Sequence, residues 1–218
     1  MNILVACEES QTVCMAFRSV GHNAYSCDIL PCSGGFPQYH ILSDVTSLLD
    51  GNCSFITMDG LEHFINGSWD LIVAHPPCTY MSKAGARWMY PKAGVISSDR
   101  LAKAFAAKNF FLSIANADCS RIAIENPVPL KIVGLPPCSQ KIQPFQFGDP
   151  YSKLTCLWLK GLPLLKPTHI LSHYKPYCPS NTGNFSRGAG GSYGAAHDSK
   201  LRSKTFPGIA LAMVQQWG

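Results

Sequence analysis

The sequence predicts an α/β fold with an open, mostly parallel sheet flanked by helices. Short β-rich segments alternate with helical patterns through the first half of the chain, as in sheets built from successive strand and helix units. The 218 residues, 46% of them hydrophobic, suffice for one full-sized core. Acidic residues end successive predicted strands, and open α/β sheets bind their ligands at the carboxyl ends of the strands.

The predicted elements account for most of the chain. Predicted strands cover residues 3–6, 24–28, 71–74, 121–125 and 155–159, and the segment 38–44 brings the chain to a further strand edge. Predicted helices cover 12–20, 100–117 and 209–217. Residues 1–165 and 205–218 therefore form one domain, and the Gly-, Ser- and aromatic-rich segment 166–204 is expected to be a mobile loop inserted into it.

Charge and cysteine content restrict the class of protein. The net charge of +5 fits a polyanionic partner, but the Lys and Arg residues are scattered rather than clustered. We expect the ten cysteines to be reduced thiols of a cytoplasmic protein, because residues 1–6 have the pattern of a strand and not of a secretory leader. The chain has no CxxC pair and no apolar run of about 18 residues, so neither a metal site nor a membrane span is expected.

A cysteine lies directly after the predicted strand 71–74. The segment His75-Pro76-Pro77-Cys78 places it at the start of a loop, where a rigid Pro-Pro step holds it at the rim of the sheet. A nucleophile would occupy such a position. A small buried thiol at the end of a strand is the alternative, since free cysteines are among the most buried residues.

Carboxylates end other predicted strands in the same way. Glu8, Asp28, Asp44 and Glu125 all fall at such ends, as Cys78 does. The carboxyl ends of parallel strands meet at one edge of a sheet, so these side chains outline a pocket. Asp28 is suited to accept hydrogen bonds from ribose hydroxyls, and Asp44 from an adenine amino group. Each acid taken singly could instead cap a helix or a turn.

Two motifs carry a resemblance to a known family. The order Pro-Pro-Cys-x-x-x-Ser-x-Ala-Gly from Pro76 resembles the catalytic loop of the cytosine-C5 DNA methyltransferases, and Ile-Glu-Asn-Pro at 124–127 resembles their Glu-Asn-Val segment. Weaker similarities to other motifs of this family lie at 21–29, 43–45, 147–153 and 206–210. The chain therefore resembles a compact, phage-like member over nearly its whole length, which would place it in the host cytoplasm.

The resemblance implies a Rossmann-like sheet, S-adenosylmethionine as the methyl donor and DNA as the partner. It implies that the Cys78 thiolate adds to C6 of a flipped-out or single-stranded cytosine, while Glu125 bonds to N3 and the exocyclic amine. Asn126 would orient the loop of Glu125, Lys153 would contact the base carbonyl or a phosphate, and Ser82 would contact a phosphate. The alternatives are a partly buried acid paired with Lys or Arg for Glu125 and a solvated surface charge for Lys153.

Two sets of binding residues complete the prediction. The set predicted to hold the cofactor is Cys7, Glu8, Ser10, Gln11, Asp28, Ile29, Asp44, Val45, His75 and Pro76. The set predicted to contact the DNA substrate is Pro77, Thr79, Arg87, Arg187 and Arg202. No metal or membrane partner is predicted, and the sequence leaves the oligomeric state open.

Three departures from the family pattern keep other functions open. The loop 7–12 lacks the glycines that let a backbone approach the cofactor, so its polar side chains would bind the cofactor instead, or its acids would cap the following helix. Lys153 and Thr155 replace two arginines, and only about forty residues stand where a target-recognition domain is normally inserted. One alternative is the same chemistry on a free cytosine nucleotide or RNA. Another is a degenerate fold that binds a nucleoside or nucleic acid without turnover.

Overall fold

A computed structural model of the protein describes residues 1–178 and 199–218. Its strands, in chain order, are β1 (Asn2–Ala6), β2 (Asn23–Asp28), β3 (His40–Leu42), β4 (Cys53–Ile56), β5 (Glu62–Ile65), β6 (Leu71–Ala74), β7 (Ile122–Pro127), β8 (Gln140–Ile142), β9 (Tyr151–Ser152), β10 (Thr155–Lys160) and β11 (Lys175–Pro176). Its α-helices are α1 (Thr12–Ser19), α2 (Ala86–Met89), α3 (Ser98–Ala115), α4 (Ser199–Ser203) and α5 (Pro207–Trp217). Short 3-10 turns cover Pro37–Tyr39, Val45–Leu48, Lys83–Gly85, Lys131–Val133 and Pro144–Gln146.

Seven strands form one sheet in the order β3, β2, β1, β6, β7, β10, β8. The first five run parallel, and β10 lies antiparallel to both β7 and β8. The other described strands form two pairs, β4 with β5 antiparallel and β9 with β11 parallel. The predicted α/β fold with an open, mostly parallel sheet is confirmed.

Apolar side chains cover both faces of this sheet. In β1, Leu4 and Ala6 belong to one core, which includes α3 and the hairpin of β4 and β5, while Ile3 and Val5 belong to the other, which includes α1 and α5. Successive side chains of a strand point to opposite faces, so a strand that is apolar throughout requires cover on both. A ligand therefore has access to the ends of the strands and the loops there rather than to the faces of the sheet.

The structure differs from the predicted elements in a few places. Helix α3 begins at Ser98, two residues earlier than predicted, because the Ser97 hydroxyl accepts a hydrogen bond from the backbone N–H of Arg100 at 3.4 Å. The hairpin of β4 and β5 and the short strand β8 were not predicted. Strand β8 has only three residues, two of them polar, and it is stabilised by pairing with β10 rather than by its own pattern.

The predicted insertion is described only in part. Residues 166–178 pack on the domain, where Tyr174 stacks on Phe145 with ring centroids 3.9 Å apart and β11 pairs with β9. The centre of the predicted mobile loop, with Arg187, lies outside the described residues. The division into a domain of 1–165 with 205–218 and an insertion of 166–204 stays a prediction.

The strand order reverses direction beside β1. The chain passes from β1 outward to β2 and β3, and it then returns to place β6 and β7 on the other side of β1. Ligands of open α/β sheets bind at such a reversal, outside the carboxyl ends of the strands. We call the region between the loops after β1, β6 and β7 the crevice; these loops carry Glu8, Cys78 and the residues that follow Glu125.

Three further findings concern the class of protein. None of the helices within residues 1–178 and 199–218 is long and apolar enough to cross a membrane. The same residues contain no group of three or more His, Cys, Asp or Glu side chains that could share a metal ion. The ten cysteines, all of which are described, are free thiols.

Candidate active site

Cys78 lies where the buried strand β6 gives way to a loop. Pairing with β1 extends one residue beyond β6, since the backbone N–H of His75 donates to a β1 carbonyl at 2.9 Å, and the two prolines that follow cannot donate. The carbonyl of Cys78 then accepts from the N–H groups of Met81 at 3.1 Å and Ser82 at 2.9 Å. The chain therefore turns tightly at Cys78 and leaves its thiol half-buried.

The loop after β6 is bound to the end of β7 and the segment that follows it. The N–H of Lys83 donates to the Val128 carbonyl at 3.0 Å, and the Asn126 side-chain amide donates to the Pro76 carbonyl at 2.8 Å. Asn126 thus ties its own strand to the loop of the cysteine. These bonds hold the two loops at one relative position, as a preorganised site requires.

Glu125 is hydrogen-bonded to residues from two distant parts of the chain. Its Oε2 lies 3.0 Å from Nδ1 of His75 and accepts a hydrogen bond from the Thr205 hydroxyl at 3.1 Å. The side chains of His75 and Glu125 are only 10% and 9% exposed. Both bonds found among the described residues go to Oε2, so Oε1 of Glu125 is available to a ligand.

The pKa values of His75 and Glu125 are shifted in opposite directions. Burial favours the neutral acid, but the hydrogen bond from His75 and the positive charge of Lys153 outweigh it and lower the pKa of Glu125 well below its usual range. Burial also opposes the imidazolium form, yet the hydrogen bond to Glu125 outweighs that effect and raises the pKa of His75. Both shifts favour the form of the pair in which the proton lies on His75.

The positive charge of Lys153 acts on Cys78, Glu125 and His75. Burial raises the pKa of the Cys78 thiol, while the charge of Lys153 and a hydrogen bond from the Ser82 side chain act to lower it. The same charge acts on Glu125 and His75. Lys153 thus lies within electrostatic reach of both predicted catalytic groups, and Ser82, which is buried, is turned toward the thiol.

The loop after β1 adopts a turn that glycine would allow more readily. Cys7 and Gln11 both have left-handed backbone conformations, with φ of 59° and 60°. The side-chain amide of Gln11 exchanges two hydrogen bonds with the backbone of Phe36, at 2.9 and 3.0 Å. A Cβ at Gly34 would lie 2.6 Å from the Ser10 carbonyl, so the loop after β2 packs closely over this one. The Gln11 side chain, which was predicted to hold the cofactor, is therefore buried under the loop after β2.

Glu8 caps helix α1. Its two carboxylate oxygens accept hydrogen bonds from the N–H groups of Val13 at 2.6 Å and Cys14 at 3.1 Å, in place of a side chain from the N-cap residue Gln11. Burial raises the pKa of Glu8, although the charge of His75 and the two N–H groups act to lower it. The structure therefore shows for Glu8 the capping alternative considered from the sequence, and a contact between Glu8 and a cofactor stays a prediction.

We expect Glu8→Ala to lower the free energy of unfolding by about 2 kcal/mol, because two buried N–H groups of α1 would lose their acceptor. Glu8→Gln keeps one oxygen for one of these groups and should cost about half as much. Urea denaturation of the two variants and the wild-type protein measures both differences. A loss below about 0.5 kcal/mol in Glu8→Ala would contradict the capping role.

The ends of β2 and β3 carry the predicted nucleoside ligands. Asp28 Oδ1 accepts a hydrogen bond from the backbone N–H of Leu30 at 2.9 Å, and the neighbouring Ile29 side chain is 74% exposed. Asp44 caps the next 3-10 turn by accepting from the Thr46 N–H at 2.8 Å. Val45 is buried in the core.

Glu9 is the residue that sequence reasoning missed at this end of the crevice. Its Oε2 is buried and has no hydrogen-bond partner among the described residues, and its charge acts on Asp28 and Glu8. An unpartnered buried carboxylate oxygen fits an amino or hydroxyl donor of a ligand. Together with Asp28 and Ile29, it makes this part of the crevice suitable for a nucleoside with an amino group.

The predicted substrate contacts are spread along the rim. Pro77, Thr79 and Arg87 are exposed, and the Arg87 guanidinium lies over the Trp88 ring at 4.6 Å from its centroid. Arg202 is half-buried in α4, three residues before Thr205. Arg187 lies outside the described residues.

Sequence reasoning also missed the partners of Glu125. His75 was predicted to hold a cofactor, and the structure places it against Glu125, fifty positions away in the chain. Thr205 was not considered at all. Its only signal was its place at the start of 205–218, the segment predicted to rejoin the domain, which identifies no partner.

Comparisons with known proteins add little to this geometry. No protein-family model and no curated protein matches the chain. Among solved structures, the chain is similar to a crystal structure of a protein from E. coli that is provisionally described as a DNA modification methyltransferase encoded within a prophage. The sequence identity is 13% and the TM-score 0.46, over 78% of this chain and 51% of that protein. This chain therefore spans about half the length of that protein.

Proposed function

We propose that the protein is an S-adenosylmethionine-dependent methyltransferase that acts on C5 of cytosine in DNA. The observation that carries the proposal is the arrangement of Cys78 and Glu125 at the carboxyl ends of the adjacent parallel strands β6 and β7, with the charge of Lys153 acting on both. A nucleophile, an acid and a fixed cation around one crevice are the groups that addition to a pyrimidine requires.

The first step is the addition of Cys78 to the base. The thiolate forms a bond to C6, and the electrons of the C5–C6 double bond move toward N3 and the exocyclic amine. Lys153 and Ser82 favour the thiolate, because a positive charge and a hydrogen-bond donor both stabilise negative sulfur. A base inside a duplex hides C6, so the cytosine must be unpaired or flipped out.

The second requirement is a proton for N3, because negative charge develops there as the thiolate adds to C6. The pKa of Glu125 is lowered in the free protein, so Glu125 must gain a proton as the base binds. A proton taken up from solvent on Oε1 as the base binds converts Glu125 into the acid that protonates N3, and the hydrogen bond between His75 and Oε2 stabilises the carboxylate that remains. Thr205 keeps Oε2 in place while Oε1 faces the ligand.

The cofactor supplies an electrophilic methyl group when it is bound. Asp28, Ile29 and Glu9 would hold its nucleoside and amino groups. The thiol adduct makes C5 nucleophilic, and C5 would take the methyl group as its bond to the cofactor's sulfonium sulfur breaks and leaves a neutral thioether. Loss of the C5 proton to water, return of the N3 proton to Glu125 and expulsion of the Cys78 thiolate would then restore the ring.

The deciding experiment uses DNA that contains 5-fluorocytosine. Fluorine at C5 cannot leave as a proton, so the cysteine should remain bonded to the methylated base. The purified protein, tritium-labelled S-adenosylmethionine and this DNA should give a labelled protein–DNA band that survives denaturing electrophoresis. Absence of the band with single-stranded and double-stranded DNA, where cofactor binding is detected by calorimetry, would exclude the proposed reaction on DNA. An adduct with RNA or with a free nucleotide would identify the alternative substrate.

The charge of Lys153 leads to a prediction about pH. The reactive thiolate fraction of Cys78 should rise with pH through the alkaline range, because burial raises the pKa of this thiol. Lys153→Gln removes a charge that lowers this pKa, so Cys78 should be alkylated about tenfold more slowly near neutral pH, which corresponds to about one pKa unit. The two proteins should react equally once both thiols are ionised.

Mass spectrometry of the Cys78 peptide after timed iodoacetamide treatment measures this reactivity separately from the other nine cysteines. Lys166→Gln is the matched control, because Lys166 is exposed near the end of α5 and should leave the profile unchanged. Identical profiles for the wild type and Lys153→Gln would remove Lys153 from the site.

A further inference from the structure

The segment that follows the Cys78 loop is unusually exposed for its composition. Between residues 83 and 96, Trp88 is 57% and Tyr90 40% exposed, and Val95 and Ile96 are also exposed. Trp88 is the only exposed tryptophan of the four in the chain, since the others are at most 8% exposed. An apolar and aromatic surface of this kind indicates a binding site rather than a core.

The backbone explains why these rings cannot turn inward. Met89 between them is fully buried, and its carbonyl accepts the N–H of Ser97 at 3.0 Å, while the N–H of Tyr90 donates to the Ala86 carbonyl at 2.9 Å. With Met89 anchored in the core, Trp88 and Tyr90 on either side of it face away from the core. The structure therefore holds both rings at the surface.

The charge of this surface is positive. No Asp or Glu occurs from residue 71 to residue 98, whereas Lys83, Arg87 and Lys92 are all exposed there. The guanidinium of Arg87 stacks over Trp88, with 4.6 Å from its carbon to the ring centroid. Exposed aromatic rings interleaved with cations are complementary to bases and phosphates together.

The segment is also tied to the reactive cysteine. Lys83, its first residue, is hydrogen-bonded to Val128 just after β7, and Ser82 before it is bridged to Pro129. A strand of nucleic acid lying on Trp88 and Tyr90 would therefore continue toward the crevice that holds Cys78.

We propose that Arg87, Trp88, Tyr90 and Lys92 form a stacking surface for unpaired nucleotides of single-stranded DNA next to the target cytosine. This inference rests on the proposed function for the identity of the target base, but the surface itself needs no cytosine. The rings stack on bases of any kind, and the cations contact phosphates, so binding should depend little on sequence and strongly on salt. Single strands should bind better than duplexes, because bases already paired and stacked cannot cover the rings.

The test uses a short oligothymidine strand, which contains no cytosine and so reports on this surface without the reaction. It should quench the intrinsic fluorescence of Trp88, and a fluorescein-labelled copy should bind by anisotropy with an affinity that falls steeply with salt. Trp88→Ala should weaken binding about tenfold or more, whereas Trp88→Phe should stay within about threefold of the wild type, because it keeps a ring for stacking. Arg87→Gln should reduce the slope of log affinity against log salt by about one.

Matched variants separate this surface from general effects. Phe64→Ala removes a ring that is 65% exposed on β5, and Lys166→Gln removes a distant cation, so both should bind oligothymidine as the wild type does. Thermal melting confirms that each variant is folded. Unchanged binding in Trp88→Ala, or duplex binding as tight as that of the single strand, would overturn the inference.

The oligothymidine experiment and the 5-fluorocytosine experiment can fail independently of each other. If Trp88→Ala loses oligothymidine binding while the wild-type protein forms no adduct with 5-fluorocytosine DNA, the surface is correct and the chemistry is wrong. If the adduct forms and Trp88→Ala binds oligothymidine normally, the chemistry stands and the surface is wrong.

Discussion

Replacement of Cys78 by alanine is expected to abolish the labelled adduct with 5-fluorocytosine DNA and to reduce methyl transfer by at least about a thousandfold. Cys7 is another thiol beside the crevice, but burial and the charge of Asp28 raise its pKa, whereas the charge of Lys153 favours the thiolate of Cys78. The change removes one sulfur atom from a half-buried side chain, so the fold should persist.

Cys138→Ala is the matched control for this experiment. Cys138 is also half-buried and free, and it packs against the core. It should form the adduct at the wild-type rate. Methyl transfer that continues in folded Cys78→Ala would show that Cys78 is a structural thiol, as the alternative interpretation of the sequence holds.

Replacement of Glu125 by glutamine is expected to slow methyl transfer by about a hundredfold or more. The amide occupies nearly the same volume and can still accept a hydrogen bond, but it cannot deliver a proton to N3. The imidazole also loses its carboxylate partner, so the pKa of His75 should fall. Single-turnover measurement of labelled methyl transfer to DNA gives the rate.

Two Thr205 variants provide the comparison for Glu125→Gln. Thr205→Ser keeps the hydroxyl that donates to Oε2 and should remain within a few fold of the wild type, whereas Thr205→Val removes it and should slow transfer about tenfold. A loss of less than about tenfold in Glu125→Gln would contradict the proton-transfer role.

The Glu125 carboxylate should also contribute to the free energy of unfolding in a way that depends on pH. The pKa of Glu125 is lower in the folded state than in the unfolded chain, so its contribution is present above the unfolded pKa and is lost as pH falls through the acid range. Glu125→Gln lacks this titration. The difference in unfolding free energy between wild type and variant should therefore shrink as the pH is lowered below about 4.5.

Much of the fold could be predicted because its signals are local. The buried segment 71–74 and the acids that end strands each occupy a few consecutive residues, and period and composition identify them. Helix α1 and strand β6 appear within one residue of their predicted limits. The strand β8 was missed because three residues carry too little pattern, and the hairpin of β4 and β5 was missed although β4 alternates buried and exposed residues.

Part of the candidate site could also be predicted from the sequence, and part could not. Cys78 and Glu125 each end or approach the end of a strand, and the rule that parallel strands present their carboxyl ends together predicts their proximity. The sequence could not show that Glu8 caps α1 rather than facing a ligand, since both roles suit an acid before a helix. The choice depends on whether the loop turns back over the first N–H groups of α1, which the left-handed conformations of Cys7 and Gln11 allow.

The sequence by itself therefore determined the fold class, the residue types available for chemistry, and the order along the chain of the polar residues that end the strands. These properties follow from local pattern and covalent order. Only the tertiary structure decided which groups act on one another. His75 meets Glu125 across fifty positions of the chain, and Thr205 meets it across eighty. Such partners are selected by the packing of whole elements, and the contacts formed there shift the pKa values of the pair, so no local pattern of residues encodes either.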